Sequence, residues 1–114
     1  MNPVLAISLA VTSLFHTALK SSSPARNAIV ATPTSVSLTF TERVNPALSS
    51  ISILTHDSTE VEKLVVKATS EPARIAGVVK TRLTPAAYVI RWKTVSADGH
   101  VVRGTFGFTV KPTT

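Results

Sequence analysis

The chain alternates apolar and polar residues with a period of two over several short stretches. The alternation is clear in residues 36–40, 51–53, 88–92 and 106–110, where mostly small, polar or charged residues separate large aliphatic or aromatic ones. Because successive side chains of a β-strand point to opposite faces, this pattern is typical of strands with one buried face. The sequence therefore predicts a sheet protein rather than a helical one.

Prolines and shorter apolar runs divide the chain between these strands. The prolines in the gaps are Pro24, Pro33, Pro46, Pro72, Pro85 and Pro112. Apolar runs at residues 29–30, 64–66 and 77–83 are expected to supply further strands, which brings the total to about seven. Short strands separated by turn residues indicate an all-β protein, either an antiparallel β-sandwich or a small barrel, with the aromatic residues in its core.

The residue composition excludes several kinds of site. The chain has no cysteine and one methionine, Met1, so thiolate sites and disulfides are excluded, as is thioether ligation once Met1 is lost. Its formal net charge of +6 comes from Lys and Arg residues that occur singly. A dispersed charge is typical of a solvated surface, so no nucleic-acid partner is expected, and attraction to anionic lipid headgroups would be equally unspecific.

The first fifteen residues have the composition of a signal peptide. Residues 3–15 are apolar apart from Ser and Thr, which suits the apolar region of a signal peptide. No Lys or Arg precedes them, and cleavage after Phe15 would place a large residue where signal peptidases prefer a small one. We expect residues 1–15 to be a signal peptide and residues 16–114 to be the exported domain. A buried strand or helix at the domain edge is the alternative.

Two residues with metal-binding chemistry lie close together near the end of the chain. Asp98-Gly99 between two strand patterns is a strong hairpin signal, and a plain turn is its simplest explanation. His100 follows Asp98 by two positions, so an extended backbone would direct both side chains the same way. A carboxylate and an imidazole at one end of a sandwich can bind a metal, but two ligands do not make a tight site.

His16 would become the first residue of the exported domain. It would then offer an α-amine and an imidazole that chelate one ion together. An α-amine has an ordinary pKa of about 8 and gives up its proton to a metal far more readily than lysine does. With Asp98 and His100 the set has three nitrogens and one oxygen. This suits tetragonal Cu(II), and zinc, in a tetrahedral arrangement, is the main competitor.

Four stretches of the chain resemble the CopC copper-resistance proteins. The opening His-x-x-Leu-x-x-Ser-x-Pro-Ala motif of that family is matched by residues 16–25, and its Leu-x-Phe-Ser-Glu strand resembles residues 38–42. Its closing hairpin contains Ser-x-Asp-Gly-His and then Gly-x-Phe-x-Phe, which residues 96–100 and 104–108 match. Where the family has Gly in its first turn, this chain has Asn27, which tolerates the left-handed conformation.

The resemblance implies an immunoglobulin-like, Greek-key β-sandwich of the periplasm that binds one Cu(II) ion. His16, Asp98 and His100 fall on the family's Cu(II) ligands. Glu42 falls on a nearby carboxylate that supports the site or acts as an occasional ligand, and a solvated strand-end carboxylate is the alternative. Many relatives carry a methionine-rich Cu(I) segment that this chain lacks, so no Cu(I) site is expected. The resemblance also implies a monomer that passes copper to an inner-membrane CopD-type transporter.

The expected function is binding rather than catalysis, for copper transport, buffering or resistance. The alternative is a copper-dependent oxidative enzyme, because polysaccharide monooxygenases also hold copper through an N-terminal histidine. Such enzymes need an open ligand position for oxygen, which Asp98 would fill, and a broad substrate face. A metal-free structural sandwich is a third possibility. His56, in the loop at residues 55–58, matches no ligand and is expected to be solvated.

Overall fold

The structure is a computed structural model that describes residues 17–113 of the chain. The expected signal peptide, residues 1–15, and the expected ligand His16 lie outside the described residues. Between Thr17 and Thr113, no helix is long and apolar enough to span a bilayer.

Short strands form most of the regular structure in this part of the chain. The strands are β1 (Leu19–Ser23), β2 (Ile29–Val30), β3 (Ser35–Phe40), β4 (Ser50–Thr55), β5 (Glu60–Lys63), β6 (Lys67–Ala68), β7 (Arg74–Val78), β8 (Ala86–Val95) and β9 (Val101–Val110). A single 3₁₀ turn, Pro46–Leu48, lies between β3 and β4. Because β2 and β6 have two residues each, the number of longer strands agrees with the predicted seven.

The strands form two sheets that enclose one core. One sheet has the order β1-β3-β7-β6 and the other has the order β2-β9-β8-β4-β5. All neighbouring strands run antiparallel except β2 and β9, which run parallel. The chain crosses between the sheets after β1, β2, β3, β5 and β7, as in Greek-key sandwiches. The predicted β-sandwich is therefore confirmed in preference to a small barrel.

The period-two alternation places the core between the sheets. The buried residues of β3, β8 and β9 are Val36, Leu38, Phe40, Tyr88, Ile90, Trp92, Phe106, Phe108 and Val110. Phe40 of one sheet meets Trp92 of the other edge to face, with ring centroids 5.2 Å apart. The aromatic side chains therefore fill the interior, as the sequence predicts.

Two of the shorter apolar runs differ from the strands that the pattern predicts. Residues 64–66 connect β5 to β6, and β7 ends at Val78, early in the 77–83 run. Their larger side chains are nevertheless buried, with Leu64 at 4% and Leu83 at 2% exposure. These connections cross the edges of the core between the two sheets, so apolar side chains are buried there beyond the ends of the strands, although the N–H of Leu64 still donates to the carbonyl of Ile51 in β4 at 2.9 Å.

The turn after β1 has the left-handed residue that the sequence predicts. Asn27 has a φ of 62°, and its N–H donates to the carbonyl of Gly107 at 2.7 Å. Asn adopts this conformation at lower cost than most L-residues. The turn thereby attaches the start of the chain to β9.

Candidate metal centre

The turn between β8 and β9 is a tight hairpin closed by backbone hydrogen bonds. The N–H of Ser96 donates to the carbonyl of His100, and the N–H of Gly99 donates to that of Ser96, each at 2.9 Å. Gly99 has a φ of 88°, which glycine adopts without steric cost. The predicted Asp-Gly turn is therefore confirmed, and it fixes the backbone on both sides of Asp98.

Asp98 and His100 lie side by side on this turn. Oδ2 of Asp98 lies 2.9 Å from Nδ1 of His100. Oδ1 accepts hydrogen bonds from the hydroxyl of Ser96 and from the backbone N–H of His100, the latter at 3.3 Å. The two side chains are largely exposed, His100 at 77% and Asp98 at 57%. The turn therefore presents a carboxylate and an imidazole together at an open end of the sandwich.

The same hydrogen bonds keep Asp98 ionised. Donation from the Ser96 hydroxyl and from the N–H of His100 lowers the pKa of Asp98 from 3.8 to about 2. The carboxylate is therefore charged at every pH near neutrality and has no proton to release when a cation binds. Ser96, which is buried behind the turn, supplies the largest part of this effect.

The first described residue, Thr17, is hydrogen-bonded to Glu42. The Thr17 hydroxyl donates to Oε2 of Glu42 at 3.0 Å, and Thr17 is buried while Glu42 is partly exposed. Beside this contact, the N–H of Ala18 donates to the Thr41 hydroxyl at 3.0 Å, and the N–H of Thr41 donates to the Ala18 carbonyl at 2.9 Å. The chain directly after His16 is thus attached to the segment that follows β3.

The segment that follows β3 is in turn attached to the β8–β9 turn. Val44 and Ser96 form an antiparallel bridge. Glu42 lies two residues before Val44, and Asp98 lies two residues after Ser96. In an antiparallel pair, going backward along one chain and forward along the other leads in the same direction. Glu42 and Asp98 therefore lie toward the same end of the sandwich.

The structure brings the predicted site residues together in part. Asp98 contacts His100, Glu42 lies at the same end, and His16 is outside the described residues. Over residues 17–113, no three His, Asp or Glu side chains come close enough together to hold a metal. Nothing in the local sequence predicts the role of Thr17, because its contact with Glu42 spans 25 positions.

His56 lies at the other end of the five-stranded sheet. It follows Thr55 of β4, which pairs with Tyr88 near the start of β8, whereas the Asp98 turn follows the end of β8. His56 is exposed in the turn between β4 and β5. The expectation of a solvated loop histidine is confirmed.

Sequence comparisons extend the similarity over most of the chain. The family model described as the CopC domain matches residues 19–111. Copper resistance protein C of Xanthomonas campestris pv. juglandis is 34% identical over 115 residues, covering 95% of this chain and 91% of that protein. Protein YobA of Escherichia coli strain K12 is 31% identical over 111 residues, covering 95% of this chain and 90% of YobA.

Solved structures share the fold. The crystal structure of CopC from Methylosinus trichosporium OB3b matches with a TM-score of 0.80 and 34% identity, covering 87% of this chain and 97% of that chain. PcoC, described as a methionine-rich copper resistance protein from Escherichia coli, matches with a TM-score of 0.70 and 27% identity, covering 84% of this chain and 99% of PcoC. Nearly the whole of each of these proteins is therefore similar to the sandwich described above.

Proposed function

Because the chain belongs to the CopC family, we propose that it is a periplasmic protein that binds one Cu(II) ion. The ligands in this proposal are the α-amine and imidazole of His16, the carboxylate of Asp98 and the imidazole of His100. Removal of residues 1–15 during export creates the α-amine. The protein acts as a monomer in copper transport, buffering or resistance, and it delivers copper to an inner-membrane CopD-type transporter.

The contact between Asp98 and His100 is the observation that carries the proposal. Two donor atoms that each lie about 2.0 Å from one ion, at right angles to each other, are about 2.8 Å apart. Oδ2 of Asp98 and Nδ1 of His100 are 2.9 Å apart, on a turn whose backbone is hydrogen-bonded. A hydrogen bond between the two atoms has this length by itself, so a copper ion that replaced its proton would find both donors at the spacing of neighbouring tetragonal ligands.

The hydrogen bond between Thr17 and Glu42 supports the third residue, His16. It attaches the position directly after His16 to the segment that the Val44–Ser96 bridge joins to the β8–β9 turn. Consecutive Cα atoms are about 3.8 Å apart, so His16 is one short step from an attached position. Glu42 acts in this proposal as a support for the start of the chain rather than as a ligand.

The donor set favours Cu(II) over Cu(I). Amine, imidazole and carboxylate groups are nitrogen and oxygen donors, to which Cu(II) binds most tightly among the divalent first-row ions. Cu(I) prefers thiolate and thioether donors, whereas this chain has no cysteine and its one methionine is Met1. PcoC, by contrast, is described as methionine rich. We therefore propose no Cu(I) site, and we expect a colorimetric Cu(I) chelator to retain all its Cu(I) when the protein is added.

Binding rather than catalysis is the role that the relatives support. Two of them are named copper resistance protein C. A carboxylate ligand from Asp98 would also occupy a position that oxygen activation needs to be open. We expect the copper-loaded protein, supplied with ascorbate, to produce no more peroxide than the same concentration of unbound copper.

Competitive titration with Cu(II), followed by EPR and Trp92 fluorescence, tests the proposal. A chain beginning at His16 is compared with one that carries an additional residue before His16, and with the His100→Ala variant. Each change removes a proposed ligand, so we expect the Cu(II) affinity to fall by more than about a hundredfold in both cases.

His56→Ala is the matched control for this titration. It is the same substitution at the opposite end of the sheet, and it should leave the Cu(II) affinity and the EPR spectrum unchanged. Equal affinity with and without the additional residue would exclude the α-amine as a ligand and overturn the proposal. Equal losses in His56→Ala and His100→Ala would overturn it too.

A further inference from the structure

Basic residues that are scattered singly along the sequence meet on the outer face of the five-stranded sheet. Lys93 of β8 pairs directly with Arg103 of β9, and Arg91 of β8 pairs with Thr105. Their neighbour Trp92 is buried, so the alternation of the strands directs these basic side chains away from the core. Lys93, Arg91 and Arg103 are all exposed.

The basic surface continues across the neighbouring strands. Ser52 of β4 pairs with Arg91 on one side and with Lys63 of β5 on the other, so Lys63 belongs to the same face. Neighbouring strands are about 4.8 Å apart, which spreads these residues over roughly 15 Å from β9 to β5. We define the cationic face as Lys63, Arg91, Lys93 and Arg103.

The cationic face has little negative charge to balance it. Glu60 lies 3.8 Å from Arg91, in a pair whose side chains are both about half exposed, and such surface pairs contribute little. Among residues 17–113, no carboxylate lies within ion-pair distance of Lys63, Lys93 or Arg103. Like charges directly opposite each other on two strands destabilise a sheet. An anionic partner would remove this repulsion.

The cationic face also has an open depression and exposed apolar residues at its border, as expected of a surface that contacts lipid headgroups. An open depression of about 410 Å³ lies among the basic side chains, and Ser50 and Thr105 place hydroxyl donors beside it. Toward the β8–β9 turn, the next outward pair is Val95 and Val101, and Val101 is 53% exposed. Cations bordered by exposed apolar residues are typical of surfaces that contact the boundary between lipid headgroups and acyl chains.

The outer face of the other sheet lacks these properties. Its centre is formed by hydroxyl residues such as Ser37 and Thr39. Its Arg74 is already engaged, since the guanidinium donates to Thr39 at 2.8 Å and lies 3.6 Å from Glu71. This sheet also carries the exposed Lys20 and Lys67, but no two of its basic residues pair directly across neighbouring strands, so a directly opposed pair of like charges is a property of the five-stranded sheet.

We propose that the cationic face binds anionic phospholipid headgroups and holds the sandwich on its side at a membrane surface. Headgroup phosphates are small and move laterally, so they can match basic side chains that are spread over an open face. An acidic protein would need a matching shape, for which the shallow depression gives little. Docked in this way, the β8–β9 turn with Asp98 and His100 lies at the edge of the contact. The proposal does not depend on copper binding.

Sedimentation with vesicles tests the proposal. The probes are vesicles of phosphatidylcholine alone and vesicles that contain about one third phosphatidylglycerol. The face variant is Lys93→Glu/Arg103→Glu, and the control variant is Lys20→Glu/Lys67→Glu, which changes the net charge equally in the other sheet. Every sample is a chain that begins at His16, so the apolar residues 1–15, which would also insert into neutral vesicles, are absent.

We expect the unsubstituted protein to bind the anionic vesicles and not the neutral ones, and to be released by high salt. The face variant should bind at least about tenfold more weakly, and the control variant should bind nearly as well as the unsubstituted protein. Circular dichroism checks that both variants fold. If the face variant does not fold, Lys93→Gln/Arg103→Gln replaces it, with Lys20→Gln/Lys67→Gln as the control of equal net charge. If both variants bound the anionic vesicles equally weakly, net charge alone would explain the binding, and the proposal would be overturned. No preference for anionic vesicles would also overturn it and would favour an acidic protein as the partner.

Discussion

At the scale of single residues, the hydroxyl of Thr17 connects the start of the described chain to the candidate metal centre. It donates to Glu42, while Asp98 and His100 contact each other on a separate turn. These two contacts would have different roles in the proposed site. The turn would orient Asp98 and His100 by itself, and the Thr17–Glu42 bond holds the residue next to the third proposed ligand, His16.

We predict that Thr17→Val weakens Cu(II) binding by between about threefold and tenfold. Valine keeps the β-branched shape of threonine but cannot donate to the Glu42 carboxylate, and a hydrogen bond to a charged group stabilises by about 1.5–3 kcal/mol, part of which positions His16. Thr17→Ser keeps the donor and should bind Cu(II) as the unsubstituted protein does. Chelator competition on chains that begin at His16 measures the affinities.

A second measurement separates positioning from a general loss of stability. In a His16→Ala chain with an additional residue before position 16, neither the α-amine nor the imidazole of His16 is available as a ligand, so Thr17→Val should leave the Cu(II) affinity unchanged. An equal loss in both kinds of chain, or no loss in chains that begin at His16, would contradict the positioning role.

Whether a contact in the proposed site can be predicted from the sequence depends on how far apart its two residues lie along the chain. Asp98 and His100 are two positions apart on a turn, so their proximity can be predicted from spacing alone. The Thr17–Glu42 contact joins residues on two different segments, and only the completed sheet brings them together. For the same reason, the sequence alone does not distinguish whether Glu42 is a site residue or a solvated carboxylate.

At the scale of secondary structure elements, Gly104 of β9 leaves room for the side chain of Trp92 on β8. A Cβ atom on Gly104 would lie 2.5 Å from Cζ2 and 2.7 Å from Cε2 of Trp92, closer than carbon atoms approach. Trp92 is buried and packs edge to face against Phe40, so a shift of the indole would disturb that contact. The glycine therefore sets how closely the indole lies over the hairpin that carries the Asp98 turn.

We predict that Gly104→Ala lowers the free energy of unfolding by about 1–3 kcal/mol, as overpacking of a core does. Gly107→Ala is the control on the same strand. A Cβ there would meet its nearest neighbour, the Tyr88 carbonyl, at an ordinary 3.6 Å. This second variant should be neutral or slightly more stable, because alanine loses less backbone entropy on folding. Urea unfolding measures both, and equal effects of the two substitutions would contradict the argument.

We predict that Lys93→Glu raises the free energy of unfolding by about 0.2–1 kcal/mol, because it turns a like-charged pair with Arg103 into an opposite-charged one. Lys67→Glu, opposite Ala76, gains no such partner and should not stabilise. The gain should disappear at about 1 M salt, where the Debye length is roughly 3 Å. A destabilised Lys93→Glu variant would show that the two side chains do not interact across the strands.

The strands were predictable where burial and pairing coincide. In β3, β8 and β9 the buried side chains belong to backbone that is hydrogen-bonded to neighbouring strands. The alternation of apolar residues therefore identifies the strand. Leu64 and Leu83 are buried in connections between the sheets, beyond the ends of the paired strands. An apolar run indicates only that its side chains are buried. For that reason the runs at residues 64–66 and 77–83 predict longer strands than the structure contains.

At the scale of the whole molecule, the sequence conceals the distribution of charge. Each Lys and Arg is isolated along the chain, which suggests an evenly charged surface. Arg91, Lys93 and Arg103 lie on the β8–β9 hairpin, and Lys63 of β5 joins them because only β4 lies between β5 and β8 in the sheet. Strand pairing places Arg103 opposite Lys93, and the strand order adds Lys63 to the same face, neither of which the spacing of these residues in the sequence shows.

The stability of the molecule should also depend on its few carboxylates at low pH. The pKa of Glu62 is lowered from 4.5: burial opposes this, but the N–H groups of Thr81 and Lys80 donate to the carboxylate and prevail. The pKa of Asp57 is lowered from 3.8 by the hydroxyl of Thr55, and that of Asp98 is lowered to about 2. A carboxylate with a lowered pKa in the folded state stabilises it above the unfolded-state pKa, and this contribution is lost as pH falls toward the folded-state pKa.

We therefore predict that the metal-free protein keeps an almost constant free energy of unfolding from pH 7 to about pH 5 and loses stability from there toward pH 2. Repulsion strengthens the decline, because a chain with a net charge of +6 becomes still more positive as its acids are protonated. Urea unfolding at pH 7, 5 and 3, in the presence of a chelator, measures it. Glu62→Gln has no charge to lose at this position, so its stability should be lower at pH 7 and should decline less on acidification. If this variant and the unsubstituted protein declined in parallel, the ionised Glu62 would not be what secures the connection after β7.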